Sequence, residues 1–206
     1  MRYVDPDGSI IINSASNMMS EGTRNLGSGT SLISTEGCTL TSYVRMANAL
    51  GANTTLDFAN ELATNNNLFT DGNLLTLENG ANLVNALLME SCITDVFISH
   101  ESSYSKDSSS NSNQFSAYLT HEKSNSEYFC NARIETSDSE NTSFYGHTVS
   151  VDKAALVSDR CDGLPTNMKI RDTSTTGRTQ INGDSSGRIN SLERLDFFKI
   201  NRLDSE

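Results

Sequence analysis

The stretch Glu36-Gly37-Cys38-Thr39-Leu40-Thr41-Ser42 sets a thiol directly after a glycine and at the head of an apolar-periodic run. A glycine lets the backbone turn sharply just before a helix. A cysteine at the helix start then meets the positive end of the helix dipole, which stabilises the thiolate and lowers the thiol pKa. The thiolate is the reactive form, so this position suits a nucleophile. Cysteine is also a small hydrophobe, and the same placement serves a core side chain. A nucleophilic thiol needs a base. Of the three histidines, His100 and His121 lie in polar, loop-like surroundings that suit solvated side chains. His147 differs: it follows Tyr145-Gly146 and opens the alternating run His147-Thr148-Val149-Ser150-Val151. That predicts an imidazole at a strand start, on the face of Val149 and Val151. A base in turn needs a group that fixes its tautomer. Met168-Lys169-Ile170-Arg171-Asp172 reads as a strand ending in a carboxylate, within reach of an imidazole on a neighbouring strand. An Asp ahead of Thr173-Ser174 is also ordinary turn chemistry.

The elements that must position these groups fall into two halves. Leu40, Val44, Ala47 and Leu50 recur at helical steps and predict a helix over 38–50, ended by Gly51. Thr55 is a candidate cap for a second helix over 56–64, and 79–89 reads as a third. The stretch 93–99 fits a strand or a short helix. Residues 102–113 are Ser-rich and read as a polar loop, and 114–122 as a short helix. Four β-type runs follow, at 128–134, 147–151, 167–172 and 195–200, separated by turn clusters. Helices first and antiparallel strands second is an α+β order, not an alternation of βα units.

Composition excludes several functions. The chain has 206 residues and a formal net charge of −11, with no basic run. A nucleic-acid binder needs clustered Lys and Arg to neutralise phosphate, and an anionic membrane surface asks the same. No apolar stretch approaches the roughly 20 residues that span a bilayer, and the N-terminus lacks the apolar core of a signal peptide. Cys38, Cys92, Cys130 and Cys161 form no C-x-x-C pair, which argues against a structural zinc site. Their wide spacing and the chain's length make a disulfide framework unnecessary. Cys92 and Cys130 sit in apolar-leaning runs that suit the core. Cys161, beside Arg160 and Asp162, suits the surface.

The order of Cys at a helix start, His at a strand start and Asp at the next strand's end resembles the papain-like cysteine peptidases. The closer likeness is to the bacteriocin-processing peptidases. It runs from about Asn17 to Ile200 and is specific at Gly37-Cys38 and Gly146-His147-Thr148-Val149; Leu26-Gly27-Ser28-Gly29, Gly51-Ala52-Asn53-Thr54-Thr55 and Ile170-Arg171-Asp172 add weaker likeness. The resemblance implies a papain-like α+β fold, with N-terminal helices packed on a C-terminal antiparallel sheet, and thiol-dependent peptide-bond hydrolysis by Cys38, His147 and Asp172 without metal or organic cofactor. One position departs from the family. Its members carry a glutamine upstream of the nucleophile that binds the oxyanion, whereas the only glutamines here are Gln114 and Gln180. Asn17 lies near that position with the same amide donor on a shorter arm, and reads equally as a loop residue. The Cys38 N–H is a second candidate donor. Residues 1–12 contain Met1-Arg2-Tyr3-Val4-Asp5-Pro6-Asp7-Gly8, which resembles the end of an RHS-repeat core, so that 13–206 would be the peptidase domain at the tip of a polymorphic toxin. That implies delivery into a rival cell, a protein or peptide substrate there, and a cognate immunity protein. The same three groups would also serve a deamidase, a transglutaminase or a peptidoglycan amidase, and a non-catalytic interaction module that kept the fold is the remaining alternative.

Overall fold

A computed structural model describes residues 18–105, 128–137, 144–151, 167–171, 180–182 and 192–203. A short 3-10 helix, Met18–Glu21, leads to helices α1 (Ile33–Glu36), α2 (Cys38–Ala49) and α3 (Leu56–Asn65). A two-stranded hairpin, β1 (Phe69–Thr70) and β2 (Leu74–Leu75), precedes α4 (Leu77–Glu90). Strands β3 (Val96–Ser105), β4 (Tyr128–Ser137), β5 (Phe144–Val151), β6 (Asn167–Arg171), β7 (Gln180–Asn182) and β8 (Leu192–Arg202) complete the chain. The fold is α+β, with an antiparallel six-stranded sheet ordered β3-β8-β4-β5-β6-β7.

The helices form where the sequence supplies stripes and caps. In α2, Leu40, Val44 and Ala47 are at most 1% exposed, and each buried large apolar side chain contributes roughly 1.5–3 kcal/mol. Thr55 caps α3 by accepting the Phe58 N–H at 3.3 Å, and Thr76 caps α4 by accepting the Asn79 N–H at 3.1 Å. Such side-chain acceptors satisfy N–H groups that a helix cannot satisfy itself. The stripes of α2 and α4 close over one face of the sheet, where Val96, Ile98, Phe129, Phe198 and Ile200 are buried in the same core. The Tyr43 ring of α2 meets Phe198 edge-on at 5.6 Å between centroids.

Several expectations shift by a few residues, and some change kind. The segment left open between strand and helix is β3, which runs on through Ser102–Ser105 into the stretch expected as a loop. It does so because β8 continues the ladder, pairing Tyr104 with Leu195 and Ser105 with Arg194 beyond a bulge at His100/Ser102. His100 is therefore a half-buried strand residue and not a solvated loop histidine. Its Nε2 lies 2.9 Å from Ser103 Oγ, and its ring stacks at a tilt on Phe198. Cys92 was expected in the core and is exposed. It follows the α4 C-cap with φ 58°, while the Ile93 N–H bonds back to Leu88 O, so the chain turns out of the helix at the cysteine and packs the partly buried isoleucine against the core instead. Cys130 is buried as expected. His121, Cys161, the short helix over 114–122 and the boundary at residue 12 lie outside the described residues.

Candidate active site

Cys38 is the first residue of α2, and α1 feeds into it through Gly37. Gly37 has φ −78° and ψ 18°, a conformation open to any residue, so its glycine identity is not explained by a sharp turn. Packing explains it. A Cβ there would lie 2.5 Å from Ile33 O and 2.7 Å from Ile33 Cγ2, and Ile33 is fully buried. Only a residue without a side chain lets α1 run this close beneath the thiol. Gly37 also offers no side-chain cap, so no protein oxygen at that position competes for the first-turn N–H groups of α2.

The sheet delivers the candidate base. His147 is the fourth residue of β5, not the first, because pairing with β4 begins earlier, at Ser137 with Phe144. Beside it, Gly146 leaves room for the Arg133 guanidinium, which a Cβ there would displace. The imidazole is 8% exposed and hydrogen-bonds the Cys38 sulfur. The Thr148 N–H donates to the same sulfur. Thr39 Oγ1 stands 4.0 Å from the sulfur and 3.1 Å from Thr148 Oγ1. Adjacent residues of one strand both reach Cys38, His147 with its ring and Thr148 with its main-chain N–H, while the Thr148 side chain meets Thr39. This is possible because the N-terminus of α2 abuts β5 at the site.

The electrostatics follow from these contacts. Burial pushes the Cys38 thiol pKa up, while the His147 hydrogen bond and its charge, then the Thr148 N–H and the Thr39 hydroxyl, pull it down. The balance falls below the ordinary thiol value, which favours the thiolate.

The pair opens onto a cleft of about 510 Å³. Glu36, Cys38 and Thr39 form one wall and Gly146 and His147 another, while Leu26, Phe69, Asn73, Leu74 and Leu75 form a third. The hairpin wall is pinned in place. The Ser28 N–H donates to Gly72 O at 2.9 Å, and Asn60 bridges Gly27 N and Asn25 O. Sequence reasoning missed this wall and both threonines. The signal for the wall was present: Asp71-Gly72, both at positive φ, between Phe69 and Leu74-Leu75 is a hairpin signature. The threonines carried no local signal, since their partnership spans 109 positions.

The structure thus brings together Cys38 and His147. Asp172 and Asn17 lie outside the described residues. Strand β6 ends at Arg171, which pairs with Ser150, and it runs antiparallel to β5 toward the end that bears His147. Among the described residues, no group of three or more His, Cys, Asp or Glu side chains is placed to hold a metal ion, and no helix is long and apolar enough to cross a membrane. No family model matches the chain, and neither a curated protein nor a solved structure matches it.

Proposed function

We propose that this chain is a papain-like cysteine protease that hydrolyses peptide bonds through Cys38, His147 and Asp172. The observation that carries the reading is the hydrogen bond between the His147 imidazole and a Cys38 thiol that heads a helix and lines an open cleft. A buried structural cysteine needs neither the base nor the access.

In this mechanism His147 holds the proton of Cys38, and the thiolate attacks the carbonyl carbon of the scissile bond. The resulting oxyanion faces the start of α2, where the Cys38 N–H is a donor; Asn17 is the proposed second. As the C–N bond breaks, His147 gives its proton to the departing amine. Water, deprotonated by His147, then adds to the thioester, releases the acid and restores the thiol. Asp172 orients the imidazole. The protein or peptide substrate would lie in a rival cell, with this domain as the tip of an RHS-type toxin and an immunity protein covering the cleft; that part rests on the resemblance of residues 1–8.

Incubation with cell lysate followed by mass spectrometry tests the reading. New protein termini that disappear in Cys38→Ala and His147→Ala, both folded by circular dichroism, are expected. Amide-to-acid conversion without new termini would make the enzyme a deamidase instead, and termini that persist in both variants would overturn the catalytic assignment.

A further inference from the structure

Between α2 and the sheet lies a row of polar side chains that the Cys38 site does not use. The strand register sets Ser103, Asp196, Asn131 and Ser150 side by side across β3, β8, β4 and β5. Side chains alternate along a strand, so Asn131 shares the face of Phe129 and Asp196 that of Phe198, the face packed in one core with α2. One end of the row is satisfied: Ser103 Oγ donates to Asp196 at 2.6 Å, and Arg194 holds the same carboxylate at 2.8 Å. The other end is not. Asn131 is 2% and Ser150 0% exposed, yet Asn131 Oδ1 and Ser150 Oγ have no hydrogen-bond partner among the described residues, not even each other. A buried polar atom left in that condition costs its full desolvation.

Helix α2 roofs this end of the row. Its Thr39 meets Thr148, two residues before Ser150. Its Tyr43 meets Phe198, two residues after Asp196. The helix therefore crosses the row between these two contacts. Ser42, fully buried, lies on the same side of the helix as Thr39, three residues on. Its Oγ donates to Cys38 O at 3.2 Å, which leaves its lone pairs free to accept.

We propose that one buried water sits at this point, accepting from Ser150 Oγ and donating to Asn131 Oδ1 and Ser42 Oγ. It ties β4 and β5 to the first turns of α2. The chemistry selects water over an ion. Asn131 Oδ1 only accepts, whereas the Ser150 hydroxyl has a proton to give, so the ligand must both donate and accept. A cation accepts nothing, and the carboxylate of the row is already bonded to Ser103 and Arg194. Three polar partners are typical of a buried water, and side chains that face each other without bonding directly are what a water bridges. None of this depends on the chemistry assigned to Cys38.

A crystal structure of the wild-type chain locates the ligand. One water within hydrogen-bond distance of Asn131 Oδ1, Ser150 Oγ and Ser42 Oγ is expected. A direct Asn131–Ser150 bond, a coordinated cation, or a water that reaches the strands but not Ser42 overturns the proposal. Urea denaturation tests it in solution. Ser150→Ala and Asn131→Leu should each lower the midpoint, and the double variant should fall well short of the sum of the two losses, because one water cannot be lost twice. Oxygens that were simply unsatisfied would give the opposite sign, since apolar replacements then relieve a cost. A midpoint raised or unchanged in either single variant, or losses that add in the double, overturns the proposal as well.

Discussion

At the scale of single residues, Cys38 is held between opposing influences, and their sizes decide what each substitution does. Burial alone would raise its pKa above the ordinary thiol value, and His147 is the strongest of the groups that reverse this. His147→Ala removes the strongest lowering group and leaves only the Thr148 N–H and Thr39 to oppose burial, so the thiol should titrate higher than in wild type. The pH dependence of iodoacetamide alkylation, read at Cys38 by peptide mass spectrometry with exposed Cys92 as internal reference, measures this directly. Wild-type Cys38 should stay reactive as pH falls below the ordinary thiol range. The variant should lose that low-pH reactivity, and coincident wild-type and variant profiles would dissolve the pair. The stability linkage has the matching sign. A lowered native pKa adds stability that is complete above the unfolded thiol pKa and is lost as pH falls through the native one. Thr39→Val keeps the side-chain shape and deletes the hydroxyl that bonds Thr148. It should shift the Cys38 profile upward by less than His147→Ala, because Thr39 is the weakest of the lowering groups. Its stability cost should be about 1 kcal/mol, the net worth of one hydrogen bond, measured by urea denaturation.

At the scale of elements, the site depends on how closely α1 runs beneath the start of α2. Gly37→Ala places a methyl 2.5 Å from Ile33 O and 2.7 Å from Ile33 Cγ2, and Ile33 has no free space to retreat into. Overpacking of this kind costs about 1–3 kcal/mol. Relief requires α2 to move, so the Cys38 alkylation rate should fall along with the urea midpoint; a variant with wild-type values of both would show that the contact is soft. The same glycine shows where sequence reading reaches its limit. The pair Gly37-Cys38 marked the proposed nucleophile's position from local pattern, but that reading assigned the glycine to a turn, when the cause is a neighbour four residues back. Helix α2 was legible because Leu40, Val44 and Ala47 mark one face, and β5 because Val149 and Val151 alternate with polar residues. Strand β3 was not, since its Ser-rich end is held by ladder bonds to β8, and such partners carry no trace in the local sequence. The hairpin that walls the cleft was legible in Asp71-Gly72, a signal of turn chemistry and not of apolar periodicity.

At the scale of the whole molecule, Cys38 and His147 belong to different layers, so their meeting is a property of the complete fold. Strand β8 makes that fold a single closed structure: it comes last in the chain yet lies between β3 and β4 and pairs with both. Its Phe198 is fully buried and touches Tyr43 of α2 and His100 of β3, and thus joins the helical layer to the sheet at their shared core. Phe198→Ala should cost about 3–5 kcal/mol, in line with large aromatic-to-alanine changes in cores. That is a large share of the roughly 5–15 kcal/mol that stabilises a typical domain. Two thiols report the consequence in the same sample. Cys130, 1% exposed in β4, should be alkylated only when the sheet opens, whereas the enhanced rate expected at Cys38 requires α2 and β5 to remain in contact. If the layers unfold as one unit, rising urea should expose Cys130 and reduce Cys38 to an ordinary thiol at one midpoint, and Phe198→Ala should lower both readings together. A variant in which Cys38 loses its enhancement while Cys130 stays protected would show instead that the helical layer detaches first, and that the site is held by α2 docking alone and not by the global stability of the domain.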